Sequence, residues 1–196
     1  MNGEISNEKT ATKAAFSIVL VITLLMSFSL PAFAYSLNPY RHKSSKIYYY
    51  YDNRVGSRAI SFFSTGASAW RARTTEAQIL HYSNNPGTGY NVYMCTGNIT
   101  GVDWDGLTQT RYNSKSPYYV VSQTLTLNMA KTSTWNNDGA LKSVVAHEMG
   151  HVFGLGDNGK TKTIMNGYTF GTNSRYGGYG LTVPQTDDVN GVNAKY

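Results

Sequence analysis

His147-Glu148-Met149-Gly150-His151-Val152-Phe153-Gly154-Leu155-Gly156-Asp157 is the stretch that decides how this chain of 196 residues is read. Two histidines four apart lie on one face of a helix, one turn above each other, so both imidazoles reach one point. Glu148 projects beside that point without having to bind there. One helical turn therefore supplies two metal ligands and a general base, the arrangement of the H-E-x-x-H motif. Gly154 tolerates the left-handed turn that ends a helix. The chain then reverses within a few residues, which lets Asp157 meet the same ion as a third ligand. A bare H-E-x-x-H occurs by chance about once in 10,000 start positions at average composition. Fixing Gly154 and Asp157 as well lowers that rate by a factor of more than about 100.

Outward from the motif, Asn136, Asn137 or Asp138 caps the helix, and Ala140, Val144, Val145 and Ala146 form its apolar surface. Tyr118 to Met129 alternates, with Val121, Leu125, Leu127 and Met129 on one face, and is expected to be a strand entering the core. Leu107 to Tyr112 is a short edge strand. Glu76 to Tyr82 and Tyr90 to Cys95 are strands separated by the turn cluster Asn84-Asn85-Pro86-Gly87. Ser57 to Arg71 reads as a helix whose buried face is Ala59, Ile60, Phe63, Ala67 and Trp70. Lys46 to Tyr51, with four consecutive tyrosines, is a first strand. Packing explains those tyrosines better than sugar binding. Downstream, Gly167 to Gly180 is irregular. Pro184 to Tyr196 is a closing helix with Asp187 and Asp188 in its first turn, where the dipole favours negative charge, and Val189 and Val192 facing inward.

Ala14 to Leu30 is an apolar run preceded by Lys9 and Lys13 and followed by Pro31-Ala32-Phe33-Ala34, an A-x-A pattern. It reads as a secretory signal peptide over 1–34, cut after Ala34; an uncleaved anchor is the alternative. Residues 35–196 are then one domain. The single cysteine, Cys95, forms no intrachain disulfide. It reads as a small buried hydrophobe on a strand, with a metal-capping thiol as the alternative. His81 reads as packed or solvated. The charge of +6 is spread along the chain without a dense basic run, which argues against a nucleic-acid partner and permits association with an anionic cell wall. Asp103 and Asp105 read as a solvated turn, with a Ca2+ site as the alternative.

With these residues in place, the chain resembles the metzincin zinc metallopeptidases. It is most similar to the small secreted bacterial type with aspartate as third ligand, the snapalysin-like peptidases, and has matrixin-like flanks. Residues 147–157 carry the match. Thr163-Ile164-Met165-Asn166 sits where these families place a methionine turn beneath the metal, and Asp187 to Val192 resembles the matrixin closing helix. The chain departs from matrixins at Asp157, where they use a third histidine. It has no histidine between His81 and His147 for a structural zinc, no cysteine switch, and no room for a propeptide between Ala34 and the first strand. Tyr168 stands three residues after Met165, where astacin-like relatives place a tyrosine two after.

The resemblance implies an α+β, zincin-like domain: a twisted, mostly parallel sheet of four to five strands, two long helices, one carrying the motif, and a short C-terminal helix. It implies a secreted, monomeric zinc endopeptidase acting on protein or peptide substrates. His147, His151 and Asp157 would bind one Zn2+ and Glu148 would be the general base. Met165 would floor the site, and Tyr168 would be an oxyanion or pocket residue. The strand at 107–112 would bind substrate backbone and the segment 167–180 would wall the pocket. The alternatives are a non-catalytic secreted zinc protein, a cell-wall or glycan-binding protein, and a hydrolase of peptidoglycan amides.

Overall fold

The sheet explains why the motif helix lies where it does. In the computed structural model, which describes residues 35–74, 76–82, 92–159 and 161–196, five strands run in the order β3-β2-β4-β6-β5. These are β2 (Lys46–Tyr51), β3 (Gln78–His81), β4 (Val92–Gly97), β5 (Gly106–Tyr112) and β6 (Val120–Asn128). The first four pair in parallel, and β5 runs antiparallel to β6 at the edge. The expected signal segment, the turn at 84–87 and the start of the strand expected at Tyr90 lie outside the described residues.

Two helices of 15 residues each, α1 (Ser57–Arg71) and α3 (Asp138–Val152), pack with the sheet around one core. A short α2 (Thr132–Trp135), not foreseen from the sequence, precedes α3, and α4 (Thr186–Lys195) closes the chain. The class is α+β, with a mixed, mostly parallel sheet. Gly66 brings α1 against α3: a Cβ there would press into Val145 Cγ1 and Met149 Sδ. Trp70 adds a hydrogen bond from Nε1 to Ala146 O at 2.8 Å. A mid-helix glycine costs about 1 kcal/mol relative to alanine, and close helix packing is what it gains.

Three expected faces differ. Ile60 is 36% exposed, while Phe62 and Gly66 are buried beside Ala59, Phe63, Ala67 and Trp70. The spacing alone did not separate positions 60 and 62, and packing against α3 selects the latter. On β6, Val120, Gln123, Leu125 and Leu127 are buried while Val121, and Met129 just past the strand, are only half-buried. The register shifts between Arg111 and Tyr112, pairing Arg111 with Ser122 but Tyr112 with Val120. This bulge at Val121 moves the alternation by one residue. On α4, Val192 is buried as expected, but Asp188 and Gly191 are buried beside it while Val189 is half-buried.

A second, two-stranded sheet pairs β1 (Ser36–Leu37) with β7 (Leu155–Gly156). It ties the start of the described chain to the segment between His151 and Asp157.

Candidate metal centre

Asn137 caps α3, its side chain accepting from Ala140 N at 3.1 Å, and Asp138 follows in the first turn, where the helix dipole favours it. Most of the helix is buried, including Leu141, Val144, Val145, Met149 and Val152. Its end is the left-handed Gly154, at φ 89°. A Cβ at this position would lie 2.7 Å from Tyr40 O, so the turn requires glycine for space as well as conformation.

That turn aims the donor atoms. His147 Nδ1 lies 2.9 Å from Ile164 O and His151 Nδ1 lies 2.8 Å from Leu155 O. Carbonyl oxygens only accept, so each Nδ1 carries a proton and each Nε2 faces the centre. The Nε2 atoms are 3.2 Å apart. Asp157 Oδ1 lies 3.3 Å from His147 Nε2 and 3.5 Å from His151 Nε2. Tetrahedral coordination with bonds of about 2.0–2.1 Å sets donors roughly 3.3–3.4 Å apart. The triangle therefore fits an ion of zinc's size. Among the described residues these three form the only group of three or more histidine, cysteine or acidic side chains that could hold a metal.

Burial pulls His147 well below the ordinary imidazole value, and nearby Arg175 and His151 lower it further. Burial also acts to lower His151, but the hydrogen bond with Asp157 and the charges of Glu148 and Asp157 outweigh it and raise the group. A cation at this point competes with a proton for His151 Nε2.

Glu148 is buried, and burial raises its carboxyl above the usual range although His151 and Arg175 oppose the shift. Its Oε2 has no hydrogen-bond partner. Thr108 Oγ1 donates to its backbone oxygen at 3.0 Å. Gly106 lets β5 approach: a Cβ there would lie 2.8 Å from Glu148 Cγ. The His147, His151 and Asp157 donors and Glu148 open into one cavity of about 540 Å³, whose other walls include Asp103, Leu107, Tyr168, Phe170 and Arg175.

Met165 is buried directly beneath α3. Its Sδ fills the space that a side chain on Gly150 would occupy. Sequence reading passed over Gly150 as an unspecified residue of the motif. It also passed over Asp188, whose carboxylate is fully buried and accepts from Ile164 N at 2.9 Å, Met165 N at 3.1 Å and Gln185 N at 2.7 Å. Asp188 so fixes the turn whose carbonyl orients His147. Burial raises the Asp188 carboxyl, against the three backbone bonds that lower it. Arg175 was missed too, although it is the only charged residue in 167–180. Tyr168 is 55% exposed on the cavity wall.

Cys95 lies on β4, half-buried, with Sγ 3.3 Å from Thr126 Oγ1, and is not among the cavity residues. His81 packs at a tilt against Tyr51 and Tyr49 at ring distances of 4.8 and 5.3 Å. Asp105 takes a hydroxyl on each carboxylate oxygen, from Thr134 and Thr169. No helix among the described residues is long and apolar enough to cross a membrane. No protein-family model matches this sequence, and no curated protein matches it.

Proposed function

We propose that the chain is a secreted, metzincin-like zinc endopeptidase. The observation that carries this reading is a donor triangle of tetrahedral dimensions beside a buried glutamate with one unpartnered oxygen, both facing one open cavity. His147, His151 and Asp157 would hold the ion. When bound, zinc supplies Lewis-acid chemistry, polarising a carbonyl and making water more acidic.

The protein's own residues do the rest. The Glu148 carboxylate accepts a proton from water in the cavity and returns it to the leaving amine. Burial makes this carboxyl a stronger base than an exposed glutamate, and Gly106 and Thr108 keep it against β5. Substrate backbone adds to the outer edge of β5, whose ladder partner is β6 on the inner side. Leu107 and Thr108 of that strand line the cavity. The segment 167–180 forms the far wall. Zinc content and chelator-sensitive casein hydrolysis of the purified protein test the reading. A stoichiometric zinc protein that cleaves neither casein nor any peptide would defeat it.

A further inference from the structure

Asp105 sits at the junction of three segments. Its Oδ1 accepts from Thr134 Oγ1 of α2 at 2.7 Å, and its Oδ2 accepts from Thr169 Oγ1 of the far wall at 2.6 Å. Its backbone oxygen accepts from Asn128 N at the end of β6 at 2.9 Å. Both hydroxyl donors belong to buried residues. The chain passes from Asp105 straight into Gly106, the residue against which the Glu148 side chain rests.

The second arm continues beyond Thr169. Arg175 Nη2 donates to Thr169 Oγ1 at 2.7 Å, and Arg175 Nη1 donates to Asn166 O at 2.9 Å. Arg175 is 3% exposed. A buried guanidinium is held there by wall and turn oxygens, with Asp105, Glu148 and Asp157 supplying opposite charge nearby. Asp105, Thr169, Arg175 and Asn166 thus form one strap between the entry to β5, the wall and the methionine turn.

We propose that Asp105 is a positioning residue: it seats Gly106 against the Glu148 carboxyl and, through Thr169 and Arg175, holds the wall of the substrate cavity. This rests on the peptidase reading for its consequence in catalysis, but the strap can be tested without it. A role confined to stability would lower the melting temperature without separating binding from turnover.

The test uses the full chain, with Asp105→Ala, Thr169→Val and the conservative Thr169→Ser. Amide hydrogen exchange at 168–177 should rise about tenfold in Asp105→Ala and Thr169→Val, without a matching rise in α3. Thr169→Ser should exchange like the parent. With zinc content unchanged, Thr169→Val should raise KM about tenfold while kcat stays within about threefold, and Asp105→Ala should lower kcat as well. Thr169→Ser should restore the parent values. Unchanged exchange in Thr169→Val, or a Thr169→Ser as impaired as Thr169→Val, overturns the proposal. If Asp105→Ala does not fold, the two threonine variants decide it. A parent chain that hydrolyses nothing defeats the peptidase reading instead, and the exchange pattern still supports or overturns the strap.

Discussion

On the metal side of the cavity, His147 and His151 lean on backbone carbonyls, and Asp188 holds three backbone amides. On the opposite side, 167–180 contains neither helix nor strand. Turn hydrogen bonds such as Arg175 N to Tyr168 O and Gly177 N to Thr169 O fold it on itself, and the side chains of Thr169, Arg175 and Asp105 tie it to the rest of the site. The carbonyls behind the two histidines are present whatever the residue at their positions, so the ligands depend on where the chain runs, and the Asp188 side chain fixes that course. The ties between the wall and the rest of the site are particular side chains, so the wall can change with them while the ligands stay put. For the proposed peptidase this division would be a gain, since chemistry needs fixed geometry and specificity needs a surface that can vary.

The largest expected effect breaks the chemistry and spares both sides. Glu148→Gln removes the base but keeps the shape, so zinc content should be unchanged while kcat falls by a factor of about 1,000 or more. Metal analysis beside casein hydrolysis checks it. Near-parental turnover in that variant would remove Glu148 from the mechanism.

Next in size is the support of the metal side. Asp188→Ala strands the amides of Ile164, Met165 and Gln185. A loss of about 4 kcal/mol is expected from orphaned buried donors. Zinc affinity should fall with it, because Ile164 O no longer holds His147 firmly. Denaturant melts and zinc titration of the same variant measure both. Parental values in both would place the turn's support elsewhere.

The contrast between Asp188 and the motif also shows what the sequence made legible. The candidate ligands, Glu148 and Gly154 fall within eleven residues, where helix spacing and one glycine turn fix their relation. The strand segments, both long helices and the closing helix were legible in local pattern, whereas the mostly parallel sheet was an expectation from the family resemblance. Asp188 acts across 23 and 24 residues, and Asp105 meets Thr169 across 64. No local pattern encodes such pairs. Gln123 shows the same limit in another form. As a polar residue in an alternating strand it was left out of the buried face. Yet it is buried, accepting from His42 Nε2 at 2.8 Å and donating towards Val152 O at 3.3 Å.

That His42–Gln123 pair carries the pH prediction. Burial holds His42 at about 4, below the ordinary value near 6.5. As pH falls, the unfolded chain takes up the proton first. The stabilising effect of a neutral His42 is complete above about pH 6.5 and lost between there and pH 4, to a total of about 3 kcal/mol. Acid should therefore loosen the C-terminal end of α3 before the wall. Urea melts across this range check the slope, and His42→Gln should flatten it. A parental slope in His42→Gln would assign the acid sensitivity to other groups.

The smallest effect is expected on the wall, at Tyr168. The residue is 55% exposed on the cavity wall, and an exposed side chain away from the core is worth little to stability. Tyr168→Phe should change kcat/KM by less than about threefold, with zinc content and stability unaltered. An oxyanion donor behaves differently, because its hydrogen bond strengthens only as charge develops and its loss appears in kcat. A fall in kcat of about 100-fold would move Tyr168 from the wall into the chemistry. It would also give the wall a part in the chemistry as well as in shaping the cavity, joining the roles of the two sides.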